Sequence, residues 1–242
     1  MRGFWQELQQ ELAGLVLPSG CAGCGLPRVR GELCGECGSA LRSAVPRRVW
    51  PSPVPSGLPC VYAAMPYADE VRAVLLAHKE RGALRLAAPL GAVLATAVRS
   101  SCAHPGGLPG AVSGVRPLTL VPVPSARRAV AGRGHDPVRR IALAAARELR
   151  RGGLPARMLA VLRQQRAVVD QAGLTAPQRL ANLSGALEMV PGGEGLLAGG
   201  ETVLVDDLMT TGASLAEAAR TVREQARNVT AAAVVAFRSK VR

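Results

Sequence analysis

Thr202-Val-Leu-Val-Asp206-Asp207-Leu-Met-Thr210-Thr211-Gly212-Ala-Ser214 changes character three times in thirteen residues. It opens as an apolar, β-branched run, passes through two adjacent carboxylates, and enters a hydroxyl-rich turn with a glycine. Ser214 to Gln225 then reads as a helix. In a strand, turn and helix of this kind, the amides of the turn and first helical residues surround a point where a phosphate can sit. Thr210, Thr211 and Ser214 add hydroxyl donors there. Asp206 and Asp207 suit other partners: the hydroxyls of a ribose, or a divalent ion itself bound to pyrophosphate.

Further strand and helix signals lie on both sides. Glu201 to Val205 and the β-branched Val229 to Phe237 read as strands, as does Leu118 to Val123, which ends among Pro122 and Pro124. Leu159 to Leu162 is a brief strand candidate. Asp69 to Lys79 places Val71, Val74, Leu75 and His78 at helical spacing, and Val138 to Arg151 is a helix closed by Gly152 and Gly153. Leu84 to Val98 is a helical candidate interrupted by Pro89, and 104 to 117 is a loop rich in Gly and Pro. Strands alternating with helices predict an α/β fold with a mostly parallel sheet covered on both faces.

The chain has 242 residues, enough for one ordinary α/β domain and a small appendage. No run of eighteen apolar residues is present, so no membrane insertion is expected. The start, MRGFWQELQQELAGLVLPSG, carries Glu7 and Glu11 and makes a poor export signal, which leads to a cytoplasmic expectation. Basic residues number 30 against 17 acidic ones, a formal charge of +13, and all but Lys79 and Lys240 are Arg. The excess is greatest between residues 117 and 199. That placement suits a cleft for a highly anionic ligand, a nucleic-acid surface, or a solvated basic face. Only two each of Phe, Tyr and Trp argue against a platform for stacking bases.

Residues 1 to 60 form a separate unit in this reading, with the Pro-rich connector 46 to 59 leading to a main domain over 61 to 242. The unit contains Cys21-x-x-Cys24, nine residues, and Cys34-x-x-Cys37. Four thiolates from two such turns complete the tetrahedral shell of a structural zinc site with no open position. The spacing is shared with iron centres and with disulfide pairs. Cys60 and Cys102 are left over.

The Asp206 to Gly212 segment resembles the phosphoribosyl pyrophosphate binding motif of type I phosphoribosyltransferases. From Cys21 to about Phe237 the chain resembles the ComF-type, competence-associated branch of that superfamily, which joins a four-Cys zinc module to a phosphoribosyltransferase-like domain. The matching motifs recur in order: the four cysteines, Tyr67 to Lys79, Val121-Pro-Val-Pro124 with Arg127 and Arg133-Gly134, Arg163 to Asn182, and Asp206 to Gly212. The resemblance implies that Asp206 and Asp207 hold the ribose diol and that Thr210, Thr211, Gly212 and Ser214 hold the 5-phosphate. It makes Lys79, Arg127, Arg133, Arg163 and Arg166 candidates for neutralising phosphate charge, with Arg133 and Arg163 preferred. Gln171, Arg179 and Asn182 also match family positions, without an assigned task.

The chain departs from the family at Arg133-Gly-His135-Asp136-Pro137, where the usual reading is Arg-Gly-Phe-Asn-Gln, and at Val168, where Thr is usual. His135 is an acid or base, or a replacement for an apolar ring in packing, and packing is favoured because no paired base is visible. Asp136 near a polyanion is unhelpful unless it faces a metal or an arginine. Two function classes follow. One is a magnesium-dependent phosphoribosyl pyrophosphate-binding protein, a glycosyltransferase passing phosphoribosyl to a nitrogen acceptor in nucleotide salvage, DNA uptake or DNA repair. The other is a non-enzymatic DNA-processing adaptor for single-stranded DNA or a partner motor protein.

Overall fold

Among the described residues, six strands form the main sheet: β1 (Arg47–Val49), β2 (Val61–Pro66), β3 (Leu118–Pro122), β4 (Ala156–Met158), and the later Thr202–Met209 and Val229–Phe237, here β7 and β8. The computed structural model describes residues 20–103, 117–166, 175–198, 200–226 and 229–239. Val168, Gln171, Lys240 and residues 104–116 of the expected loop lie outside them. The sheet order is β1-β2-β8-β7-β3-β4, and every pairing is parallel except that of β1 with β2. A mostly parallel sheet flanked by helices is what the strand and helix alternation predicts. A second sheet pairs β5 (Leu162–Gln164) with β6 (Leu187–Met189) in antiparallel register.

The central strands are mostly apolar because they are covered on both faces, and alternation sorts their side chains. Leu120, Val203, Val205 and Val235 face one core, formed with α2 (Asp69–Glu80), α3 (Ala87–Cys102) and α5 (Pro137–Arg151). Val121, Leu204 and Val234 face the other, formed with Leu215, Ala219 and Val222 of α8 (Ala213–Ala226) and with Leu162 and Leu187. Helices α3 and α5 pack closely. A Cβ at Gly91 would collide with Ala144 Cβ, so a larger residue there would force them apart. Among the described residues, no helix is long and apolar enough to cross a membrane.

Several boundaries differ from the sequence reading. Pro89 does not break its helix, because α3 starts at Ala87 and places the proline in the first turn, where a missing N–H costs no intrahelical bond. Leu159 to Leu162 is not one strand. Pairing instead falls on the flanking β4 and β5. α1 (Gly35–Arg42), α4 (Arg127–Arg133), α6 (Ala176–Leu183) and α7 (Gly193–Leu197) were not anticipated. β7 continues through both aspartates to Met209, which pairs with Phe237.

Candidate functional site

The sheet creates a crevice by its connections. From β3 the chain moves outward to β4, whereas from β7 it moves the other way to β8, so adjacent β3 and β7 part at their C-terminal ends. Open α/β sheets offer ligand space at such a switch point. Here a cavity of about 600 Å³ is lined by Lys79, Arg133, Asp206, Asp207, Thr210 and Ser214, together with Gln164 and Arg179.

Each wall follows from local structure. Successive residues of β7 point to opposite faces, which lets Asp207 meet α2 on one side. Lys79 Nζ donates to Asp207 Oδ2 over 2.9 Å, and Asp207 N donates to Asp206 Oδ1 over 2.8 Å. Burial raises the Asp206 pKa well above the carboxylate range and the neighbouring Asp207 charge adds to it, against a partial offset from Lys79. Burial works against the Lys79 ammonium, but Asp207 and then Asp206 outweigh it and raise its pKa. Gly212 has φ +74° in the turn between β7 and α8, a conformation costly for other residues. Thr211 is buried, and Thr210 Oγ1 accepts from Arg179 Nη1 over 3.3 Å.

Arg133 Nε donates to Glu80 Oε2 over 3.0 Å. Its Nη1, like Nε of Arg179, is buried with no hydrogen-bond partner among the described residues. Unpaired guanidinium N–H groups are costly, and an anion in the cavity is the natural acceptor for them. Carboxylates at one place and unsatisfied cations at another complement a ligand bearing both hydroxyls and anionic groups.

The other predicted arginines fall elsewhere. Arg163 does not line the cavity: it is half exposed and its Nε pairs with Glu188 Oε1 at 2.8 Å. Alternation in β5 explains this, since Arg163 points outward and the next residue, buried Gln164, points inward. Arg166 donates to the carbonyls of Asn182 and Ser184, tying the chain after β5 to the end of α6. Arg127 is exposed at the start of α4 and also lies off the cavity wall. Gln164 was missed because strand phase is invisible in so short a segment.

Asp136 is the N-cap of α5, accepting from Arg139 N at 3.1 Å and Ser125 Oγ at 3.2 Å, with Pro137 in the first turn. His135 is buried beside His78, with ring centroids 5.9 Å apart.

Away from the cavity, the metal-ligating atoms of Cys21, Cys24, Cys34 and Cys37 all lie within 4.8 Å of one another. Cys24 Sγ is 3.7 Å from Cys34 Sγ. Sulfurs bound tetrahedrally to zinc at about 2.3 Å lie about 3.8 Å apart, so the cluster can chelate a metal and zinc fits it. Cys34 caps α1, its sulfur accepting from Cys37 N. Burial pushes the Cys21 thiol up, but the amides of Cys34, Cys24 and Gly23 prevail and bring it to about 6. Burial and the neighbouring sulfurs raise Cys37. A bound cation would relieve that crowding.

No model of a known protein family matches the chain, and no curated protein matches it.

Proposed function

We propose that the chain is a ComF-type, phosphoribosyltransferase-like protein that binds phosphoribosyl pyrophosphate with magnesium at the end of β7. The observation that carries this reading is the single cavity joining Asp206 and Asp207 to Lys79, Arg133, Thr210 and Ser214. Asp206 and Asp207 would accept hydrogen bonds from the ribose diol. The turn amides with Thr210 and Ser214 would take the 5-phosphate, and Arg133 and Lys79 would balance the pyrophosphate. Arg163 and Arg166 play no phosphate role in this assignment, since both are engaged elsewhere.

The oxygen donors of Asp206, Asp207 and Thr210 suit a hard cation such as magnesium, which when bound supplies positive charge to the pyrophosphate. In transfer, an acceptor nitrogen bonds to the anomeric carbon as that carbon's bond to the pyrophosphate oxygen breaks. The bonding pair leaves with pyrophosphate, and the nitrogen releases a proton. The protein's contribution is to hold the sugar and neutralise the leaving group. The four-Cys cluster would hold a structural zinc with no open position.

Calorimetric titration of the zinc-loaded protein with phosphoribosyl pyrophosphate, with and without magnesium, tests the reading. Saturable binding that needs magnesium and both aspartates is expected. No binding by folded protein would remove the ligand assignment and turn the search to the adaptor class, with single-stranded DNA as the first probe.

A further inference from the structure

Both histidines beside the cavity have each ring nitrogen facing a backbone carbonyl. His78 Nδ1 lies 3.2 Å from Ala83 O and its Nε2 3.4 Å from Pro137 O. His135 Nδ1 lies 3.1 Å from Arg133 O and its Nε2 3.2 Å from His78 O. The His135 contacts have particular leverage. One carbonyl belongs to Arg133 and the other to the peptide leading directly into Lys79, so one imidazole spans the backbones of two of the cations on the cavity wall.

A carbonyl only accepts, and a neutral imidazole has one N–H. In the neutral form one His135 nitrogen therefore turns a lone pair toward a carbonyl, and only the imidazolium donates to both. We propose that His135 is a positioning residue that ties the segment carrying Arg133 to the segment carrying Lys79, and that the tie is complete only when both ring nitrogens are protonated. Gly134 at φ +72° and the Asp136 cap of α5 fix the loop on either side of the ring.

The surrounding charges are mixed. α2 contributes His78, Lys79 and Glu80, α4 contributes Arg133, the start of α5 contributes Asp136 and Arg139, and β7 contributes Asp207. Burial lowers the His78 pKa, assisted by His135 and opposed by its two carbonyl partners and Asp207.

The ligand effect rests on the reading of the cavity given above, whereas the tie stands on the protein's own geometry. Affinity for magnesium phosphoribosyl pyrophosphate is to be measured at pH 8 and pH 6 for the full chain and for His135→Phe, which keeps a ring but removes both nitrogens. The ligand's own titration is common to both proteins and cancels in their ratio. The wild-type advantage should grow about five-fold from pH 8 to pH 6, the effect of one hydrogen bond gained. An equal ratio at both values overturns the tie. Nitrogen-15 spectra of the ligand-free wild type provide a second measurement, decisive where neither protein binds or where the variant fails to fold. Two protonated His135 nitrogens at pH 6 support the tie, and one bare nitrogen overturns it. Ring protonation without ligand binding would show the cavity reading to be at fault instead.

Discussion

Two regions of this molecule crowd groups of like charge, and they are compensated by different means. At the end of β7, Asp206 and Asp207 are neighbours in sequence and Lys79 is brought to Asp207 from a helix far away in the chain. In the N-terminal cluster the named contacts to sulfur are backbone N–H groups and other sulfurs. Side chains can settle the first site by themselves, to the extent of one ion pair. The second has a geometry that can chelate a metal ion, which would complete its compensation. A site of the first kind can be left partly discharged and ready for ligand, whereas one of the second kind couples folding to metal.

The largest effect should come from the cluster. Cys21→Ser removes the sulfur that accepts from Cys34 N. Bound zinc should be lost in native mass spectrometry, with the N-terminal segment becoming sensitive to protease, because structural zinc sites contribute about 10 kcal/mol or more. Retained zinc and unchanged proteolysis would remove the metal from the comparison.

At the other region Asp206→Asn separates stability from binding. The raised Asp206 pKa means that the folded state holds its proton more tightly than the unfolded state. Stability in the absence of ligand therefore declines as pH rises from the ordinary carboxylate range through the raised folded value, and the lost contribution is present only at lower pH. The amide should raise the melting temperature at pH 7 by about 2–4 °C, for about 1 kcal/mol, while weakening magnesium phosphoribosyl pyrophosphate about a hundred-fold. A lower melting temperature would show that the carboxylate helps hold the fold.

Gly212→Ala tests the turn. It places a side chain at φ +74°, with its Cβ 3.1 Å from Leu58, and should cost about 1–2 kcal/mol in denaturant unfolding. The smallest effect is expected from Arg163→Ala. This breaks an exposed pair with Glu188 and should change stability by less than about 1 kcal/mol and ligand affinity hardly at all. A ten-fold affinity loss by titration would bring Arg163 back to the ligand and revise the cavity wall.

The legible parts of the sequence share a physical cause. Leu118 to Val123, Thr202 to Val205 and Val229 to Phe237 are covered on both faces, so they appear as continuous apolar runs. β5 and β6 are three residues each and include Arg163 and Glu188, which leaves no run to detect. α4, Arg-Arg-Ala-Val-Ala-Gly-Arg, buries no residue fully and so carries no apolar stripe. Asp206, Asp207, Thr210 and Ser214 were readable as a site because one turn brings them together. Gln164 and Arg179 reach the same cavity from separate elements, and no local pattern encodes that meeting. The His135-Asp136-Pro137 departure becomes intelligible only in three dimensions: the aspartate and proline start a helix, and the histidine meets carbonyls from two segments.

The two outermost strands share a construction. β1 has three residues, includes Arg47 and Arg48, and lies between Pro46 and Pro51; β4 also has three, includes Arg157, and follows Pro155. A short strand beside a proline and bearing charge is a poor template for a strand from another molecule. The sheet thus ends in two terminators, and a chain this rich in apolar strand is protected at both margins from stacking edge to edge into aggregates.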